Sequence, residues 1–336
     1  MNKFIAETKS ILILILIILF LKETVVEAYI VPTSSMEENI LQGDFLIGSR
    51  YIYGMKVPEK IWIPFSAISI PTFLPEYRFP AFKEVERGDV VVFEYPRDPV
   101  YKFVKRCIGI AGDTIKIEDQ NVYVNGELVP LPEGGKFIMN NYLSREVIDP
   151  DIFLGKQGNK DQYPQITIPK KGDSFTLDEN MDWKLILPLL LYEGNQVEYI
   201  LGDNSLIFTN TSPRDVERRT GDKSIHKEYY PSTNATLITP WSDRFKKEHI
   251  QYLYINGKPI SEVETYTLSQ DYFWMMGDNR DNSEDSRFWG FVPKSHILGQ
   301  PLVTWFSINL DNYCLLYTSD AADEGLGVDL GGRRII

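Results

Sequence analysis

Ser35 stands in the stretch Pro32-Thr33-Ser34-Ser35-Met36, directly after a short apolar segment, and Lys105 stands in Phe103-Val104-Lys105-Arg106-Cys107. A serine hydroxyl is a poor nucleophile until a base takes its proton. A lysine serves as that base when its amine is neutral. A free lysine titrates near ~10.4, whereas a useful base titrates near ~7–8. Closing that gap means favouring the neutral amine by about 4 kcal/mol. Side chains alternate faces along a strand, so Lys105 shares a face with Phe103 and Cys107. Desolvation in that apolar setting disfavours the ammonium. Taken alone, Lys105 also reads as a structural lysine whose head reaches water.

Other chemistries fit less well. Asp281-Asn282-Ser283-Glu284-Asp285 alternates carboxylates as a calcium loop does, but an EF-hand needs Gly at its sixth position and Glu at its twelfth. Here those positions hold Ser286 and Val292. A Ser-His-Asp triad lacks a histidine with an orienting partner, His296 being the one near a motif. The 3 histidines show no metal-ligand spacing, which argues against a zinc enzyme. The 2 cysteines, Cys107 and Cys314, supply neither a disulfide framework nor a cysteine-based metal site.

The elements that must position these groups can be read in outline. Residues 1–31 carry Lys3 and Lys9, then an apolar run from Ile11 to Leu21. That run is short for a span of roughly 20 residues, but flanking apolar residues, Val25, Val26, Ala28, Tyr29 and Ile30 among them, can extend the helix. Glu23 and Glu27 would then share a face near the membrane surface. A cleavable signal peptide is the rival reading. No small-x-small cleavage site follows, which favours an uncleaved anchor. Lys3 and Lys9 point to a cytoplasmic N-terminus, with Lys22 weighing the other way. Gly43-Asp44 turns into a strand at Phe45. Residues 51–83, rich in Pro, Ile, Trp and Phe, read either as a segment docked on a bilayer surface or as an apolar loop packed on its own domain. Val90–Phe93, Tyr101–Ile110 and Thr114–Ile117 read as strands. Asn125-Gly126 and Asn256-Gly257 each close a hairpin. Two similar hairpins on either side of a dissimilar block make residues 131–250 an inserted accessory domain, with one apolar stretch from Leu185 to Tyr192. Two Asn-x-Ser/Thr triplets, at Asn210 and Asn234, fall in or near its end. Tyr272–Met276 is a buried strand running into the polar loop Gly277–Arg287, and Leu302–Ile308 is a last apolar strand.

At 336 residues with 43% hydrophobic and 13% aromatic residues, the chain is long enough for about two domains with a sizeable core. A net charge of −12 argues against a nucleic-acid partner. The tail from about Cys314 shows no fold pattern. It reads like the conceptual translation of a sequencing-library adapter, which would leave the natural C-terminus missing and residues 311–336 as a tail without function.

The motifs together resemble the conserved boxes of bacterial type I signal peptidases, membrane-bound Ser/Lys proteases that remove signal peptides. The matching parts are the N-terminal anchor, Ser34-Ser35-Met36, Gly43-Asp44-Phe45, Arg87-Gly88-Asp89-Val90-Val91, Phe103 to Gly109, and the long box Gly277 to Gly290. The resemblance covers about residues 1–130 and 250–308. It implies Ser35 as nucleophile, Lys105 as general base, and Thr33 with the backbone N–H of Ser35 as oxyanion donors. It further implies Ser283 as the residue orienting the lysine, and Asp278, Asp285 and Arg287 as supporting residues. Ser34 stands where the family commonly has glycine, and Glu38-Asn39 where it has Pro-Thr. The resemblance implies a mostly β fold: an anchor at 1–31, a catalytic β domain from 32–130 and 251–310, and the insertion between them. It implies no cofactor. Secretory preproteins, membrane lipid and a nearby secretion translocon would be the partners. The chain would sit in the bacterial cytoplasmic membrane as a single-pass protein, with its catalytic domain on the outer side. A phage-repressor-type Ser/Lys protease would carry a DNA-binding domain and no anchor. The alternative in another class is an inactive membrane scaffold that binds signal peptides.

Overall fold

The computed structural model describes residues 8–309 and 314–318, apart from 12, 15–16, 19–23, 58–59, 63–68, 72–76, 100, 155–156, 203, 211–236, 241–244 and 246. The chain is mostly β. The first half runs through β1 (Val26–Ile30), β2 (Asp44–Ser49), β3 (Lys60–Trp62), β4 (Ser69–Pro71), β5 (Val90–Glu94), β6 (Lys102–Gly109), β7 (Thr114–Glu118), β8 (Asn121–Val124), β9 (Glu127–Val129), β10 (Tyr163–Thr167) and β11 (Ser174–Thr176). Helix α1 (Trp183–Tyr192) follows, and then β12 (Val197–Leu201), β13 (Asn204–Phe208), β14 (Leu237–Ile238), β15 (Leu253–Ile255), β16 (Lys258–Pro259), β17 (Thr265–Thr267) and β18 (Tyr272–Met276). The one-turn helix α2 (Ser286–Trp289) precedes β19 (Val292–Pro293), β20 (Ile297–Asn309) and β21 (Cys314–Thr318).

The main sheet has the order β1-β2-β20-β5-β6-β18-β19, with β21 also on β20. Alternation splits its side chains between two cores. Val91 and Phe93 join Tyr95, Cys107, Met275 and Trp289 in one cluster, whereas Val92 joins Tyr29, Val31, Met36, Ile40, Leu46 and Leu298 in the other. Met36, the residue after Ser35, is thus an anchor in the second core and is 1% exposed.

The structure corrects the helical reading of Val26–Ile30. This segment is strand β1, paired with β2 from Val26↔Ser49 to Ile30↔Phe45. Its β-branched and aromatic residues suit a pleated surface as well as an apolar helix, and the free edge of β2 decides between them. Alternation buries Tyr29 and leaves Val26 and Ile30 exposed. Glu27 points to Arg50 and Lys102, not along a helix face toward Glu23, which lies outside the described residues. The expected anchor over 1–31 also lies partly outside them. Among the described residues no helix is long and apolar enough to cross a membrane.

Both Asn-Gly hairpins form, with Asn125, Gly126, Asn256 and Gly257 all at positive φ. They do not share a sheet. β7 of the first unit pairs with β10, and β15 of the second pairs with β12, so strands within 131–250 hydrogen-bond across both expected boundaries. β11 likewise pairs with β17. A third core spans these pieces, from Ile115, Val122 and Tyr163 to Trp183, Leu253 and Trp274. The apolar stretch Leu185–Tyr192 lies in α1, capped by the Asp182 carboxylate on the Lys184 N–H. Cys314–Thr318, which shows no fold pattern in sequence, runs as a strand against the end of β20, from Asn309↔Cys314 to Phe306↔Thr318. In residues 51–83, Tyr53 is buried and Tyr77, Phe79 and Phe82 are exposed, while 63–68 and 72–76 lie outside the described residues. Asn234 does too.

Candidate active site

The serine turn is built between β1 and β2. Val31 and Asp44 close it with a backbone bond of 2.9 Å, and Gly43 N–H donates to the Val31 carbonyl at 2.8 Å. Inside, Ile40 N–H reaches the Met36 carbonyl at 2.8 Å. Gly43 holds φ +93°, and a Cβ there would lie 1.9 Å from the Ile308 carbonyl oxygen, so glycine alone fits. The turn carries Ser35, 7% exposed, with its carbonyl accepting the Asn279 N–H at 3.1 Å.

Lys105 lies in the middle of β6, opposite Val91, and is 4% exposed. Its Nζ meets Ser35 Oγ at 2.5 Å. The amine also sits 5.5 Å from the centroid of the Phe103 ring. That ring stacks on Tyr95 at 4.6 Å and meets Trp289 edge-on at 5.4 Å. Burial in this aromatic setting lowers the Lys105 amine from 10.5 to about 8, against the opposing pull of Asp285, Glu284 and Asp278. At that value a substantial neutral fraction exists near pH 8, and a neutral amine can accept the serine proton.

Around this contact the expected residues fall as follows. Thr33 is exposed, with Oγ1 3.4 Å from Ser35 Oγ. Asp278 is fully buried and takes Arg106 in a two-point pair, Nε to Oδ1 at 2.8 Å and Nη2 to Oδ2 at 2.7 Å. Asp285 and Arg287 pair at the start of α2, Nε to Oδ1 and Nη2 to Oδ2 both at 2.8 Å. Burial acts to raise the Asp285 carboxyl, but the Arg287 guanidinium and its hydrogen bonds hold it below its usual range. Arg287 also donates to the Arg280 carbonyl at 2.6 Å, stitching the 277–287 loop to itself. Ser283 departs from expectation. Its hydroxyl is buried without a well-formed hydrogen bond, and so makes none to Lys105, although it approaches Asp285 closely enough to help hold that group ionised. Gly277 explains the crowding: a Cβ there would lie 2.3 Å from Ser283 Oγ and 2.6 Å from the Ser35 carbonyl oxygen.

His296 takes no part. Its Nδ1 faces the Glu94 carbonyl at 3.2 Å, and burial lowers it to about 4. Asp281 accepts the Ile138 and Met139 N–H groups and an ion pair from Lys160, so it serves as a loop clamp. Among the described residues no group of three His, Cys, Asp or Glu side chains could hold a metal ion.

Several contributors have no role assigned from sequence. Ser34 Oγ accepts from Asn282 Nδ2 at 2.7 Å, and its carbonyl accepts from Asn279 Nδ2 at 3.1 Å. Asn39 Nδ2 donates to Asp278 Oδ2 at 2.7 Å. Lys136 Nζ pairs with Glu37 and Glu38 at 3.1 and 3.0 Å. Departure from the family pattern marks Ser34, Glu38 and Asn39, and the long box Gly277 to Gly290 contains Asn279 and Asn282. Nothing marked Lys136, which meets residues nearly 100 positions away.

The model of the family described as signal peptidase, peptidase S26, matches residues 4–183 and 242–306. The chain is 25% identical to a signal peptidase I of Aquifex aeolicus (strain VF5) over 305 residues, covering 88% of this chain and 81% of that protein. It is 26% identical to a signal peptidase I of Helicobacter pylori (strain J99) over 308 residues, covering 90% and 81%. A solved signal peptidase I from Enterococcus faecalis V583 aligns over 65% of this chain and 97% of its own at 14% identity, with a TM-score of 0.23. The family match covers well over half of the sequence and both halves of the serine–lysine site, and the chain therefore belongs to the signal peptidase family, peptidase S26, and is a serine peptidase.

Proposed function

We propose that the chain is an endopeptidase that removes N-terminal signal peptides from exported preproteins, with Ser35 as nucleophile and neutral Lys105 as general base. The observation that carries this reading is the 2.5 Å contact between Ser35 Oγ and a buried Lys105 amine lowered to about 8. Lys105 takes the hydroxyl proton as Oγ bonds to the scissile carbonyl carbon. The oxygen that gains charge accepts from the Thr33 hydroxyl and the Ser35 N–H. The Lys105 ammonium then returns its proton to the leaving amine, the C–N bond breaks, and an acyl-serine remains. Water, deprotonated by Lys105, attacks the ester and frees both the acid product and Ser35. Asp278, Asp285 and Arg287 hold the 277–287 loop in place. The relatives named signal peptidase I support preproteins with signal peptides as the substrate class, and cleavage after small residues at the first and third positions before the bond is the finer part of the proposal. On this reading the N-terminal apolar segment is the anchor, membrane lipid and the translocon are neighbours, and residues 131–250 are an insertion that shares sheets and a core with the strands flanking it.

The test uses the full chain in detergent with a preprotein bearing an Ala-x-Ala site, product masses being compared for wild type, Ser35→Ala and Lys105→Ala. Cleavage at the expected bond by wild type alone supports the dyad. Binding of the signal peptide without cleavage by wild type points to the scaffold. Cleavage by either variant overturns the mechanism.

A further inference from the structure

The turn after the nucleophile has backbone bonds of its own, from the Asn39 and Ile40 N–H groups to the Met36 carbonyl at 3.1 and 2.8 Å, and one residue in an unfavourable conformation. Glu38 holds φ +81°, in the left-handed region that L side chains avoid. Proline, locked near −65°, could not take this conformation. The turn is also held from outside, and Asn39 makes the contact that reaches Asp278. Its Nδ2 carries two hydrogens, and both are used: one to Asp278 Oδ2 at 2.7 Å, the other to the Glu133 carbonyl at 2.9 Å. Both partners are acceptors, which fixes the amide orientation. The approach is close: a Cβ at Gly134 would lie 2.7 Å from Asn39 Oδ1 and would displace that amide. Asp278 is at the same time the two-point partner of Arg106, which follows Lys105 on β6. The links Asn39–Asp278–Arg106 therefore run from the serine turn to the strand that carries the lysine.

We propose that Asn39 is a positioning residue for the reaction: by joining the serine turn to Asp278 and Arg106 it sets the distance between Ser35 Oγ and Lys105 Nζ. The inference rests on the proposed Ser35–Lys105 chemistry. Glutamate and lysine at Glu37, Glu38 and Lys136 add exposed pairs, which are worth little beside a half-buried amide bridge to a fully buried carboxylate. An aspartate at 39 would set one carboxylate against another, and an alanine would remove the link from the turn to Asp278.

The experiment compares the full-length wild type, Asn39→Ala and Asn39→Asp in detergent, reading kcat, KM, the pH profile, melting temperature and amide exchange across residues 36–41. Asn39→Ala is expected to lower kcat about 10-fold, chiefly through the loss of the hydrogen bond to the charged Asp278 acceptor. KM should stay within about twofold, as fits an interaction that orients catalytic groups and does not bind substrate. The alkaline-rising limb should stay at about 8, because the burial of Lys105 is untouched. Asn39→Asp should be slower than Asn39→Ala. Exchange across 36–41 should quicken about 10-fold in Asn39→Ala, for the same lost bond. Unchanged kcat, a rise in KM alone, or a limb displaced toward 10.5 together with a falling melting temperature would each overturn the proposal. Unchanged exchange would overturn it whether or not the preprotein is cut. If wild type itself fails to cut, the functional reading fails separately, and the exchange measurement still decides whether Asn39 holds the turn.

Discussion

Lys105→Met removes the one amine in the serine–lysine contact and leaves a side chain of similar length in the same aromatic surroundings. The folded lysine titrates at about 8 and the unfolded one at 10.5. At 1.36 kcal/mol per pH unit, that gap is about 3 kcal/mol. Its sign follows from proton counting. Below pH 8 both states hold the ammonium, and the folded state bears the full cost of burying it. Between 8 and 10.5 the unfolded chain still binds the proton and the folded chain does not, so wild-type stability rises with pH. Above 10.5 neither state is charged and the cost is gone. The variant bears none of this cost, apart from losing a hydrogen bond to Ser35 Oγ worth about 1 kcal/mol. At pH 7 the methionine variant should therefore be more stable than wild type by about 2 kcal/mol while being inactive. The difference should shrink through pH 8–10.5 and reverse to about 1 kcal/mol in favour of wild type. Urea unfolding of both proteins at half-unit pH steps measures it, other titrating groups cancelling in the difference. A difference that is flat with pH, or a wild type more stable than the variant at pH 7, would refute the account of a lysine held neutral by burial. Cleavage by wild type should correspondingly fall about tenfold per pH unit below 8 and level off above it.

Further outcomes follow from the same geometry. Thr33→Ala should slow cleavage about 100-fold, the usual loss for one oxyanion donor, while Thr33→Ser should retain most of the rate; kcat measurements on both decide. Gly277→Ala should cost two orders of magnitude or more in kcat, because its Cβ would displace both Ser283 and the Ser35 carbonyl, and misplacement by about 1 Å carries that scale of loss. Arg287→Met leaves the fully buried Asp285 carboxylate unpaired and should destabilise the fold by about 3–5 kcal/mol, read as a shift in the denaturation midpoint.

The strands that carry the site were legible where local chemistry left one solution. Tyr101–Ile110 alternates in a way a strand alone accommodates, and it is β6 with Lys105 buried at its centre. The two Asn-Gly pairs specify tight hairpins, since Asn and Gly tolerate the positive φ that such turns need. Val26–Ile30 was ambiguous for a physical reason: an apolar, β-branched run fits a helix or a strand, and pairing with β2 settled it. Partner choice between strands was not legible either. Nothing local in Thr114–Glu118 says that it pairs with residues about 50 positions later, nor that Val197–Leu201 accepts Leu253–Ile255.

Within the site the division is similar. Residue types and their order in the chain determined which groups could do chemistry: a serine, a lysine, and a polar loop rich in Asp, Asn and Arg. Only the tertiary structure decided that Ser35 and Lys105 meet at 2.5 Å, that Ser283 makes no bond to the lysine, and that Asn39 and Asp278 bridge the two halves. A hydroxyl or an amine has its reactivity written in its type only as a range. Its place in that range depends on desolvation and on neighbouring charge, and for Lys105 these come from Phe103 with Tyr95 and Trp289 packed behind it, and from Asp285 and Asp278, most of them remote in sequence.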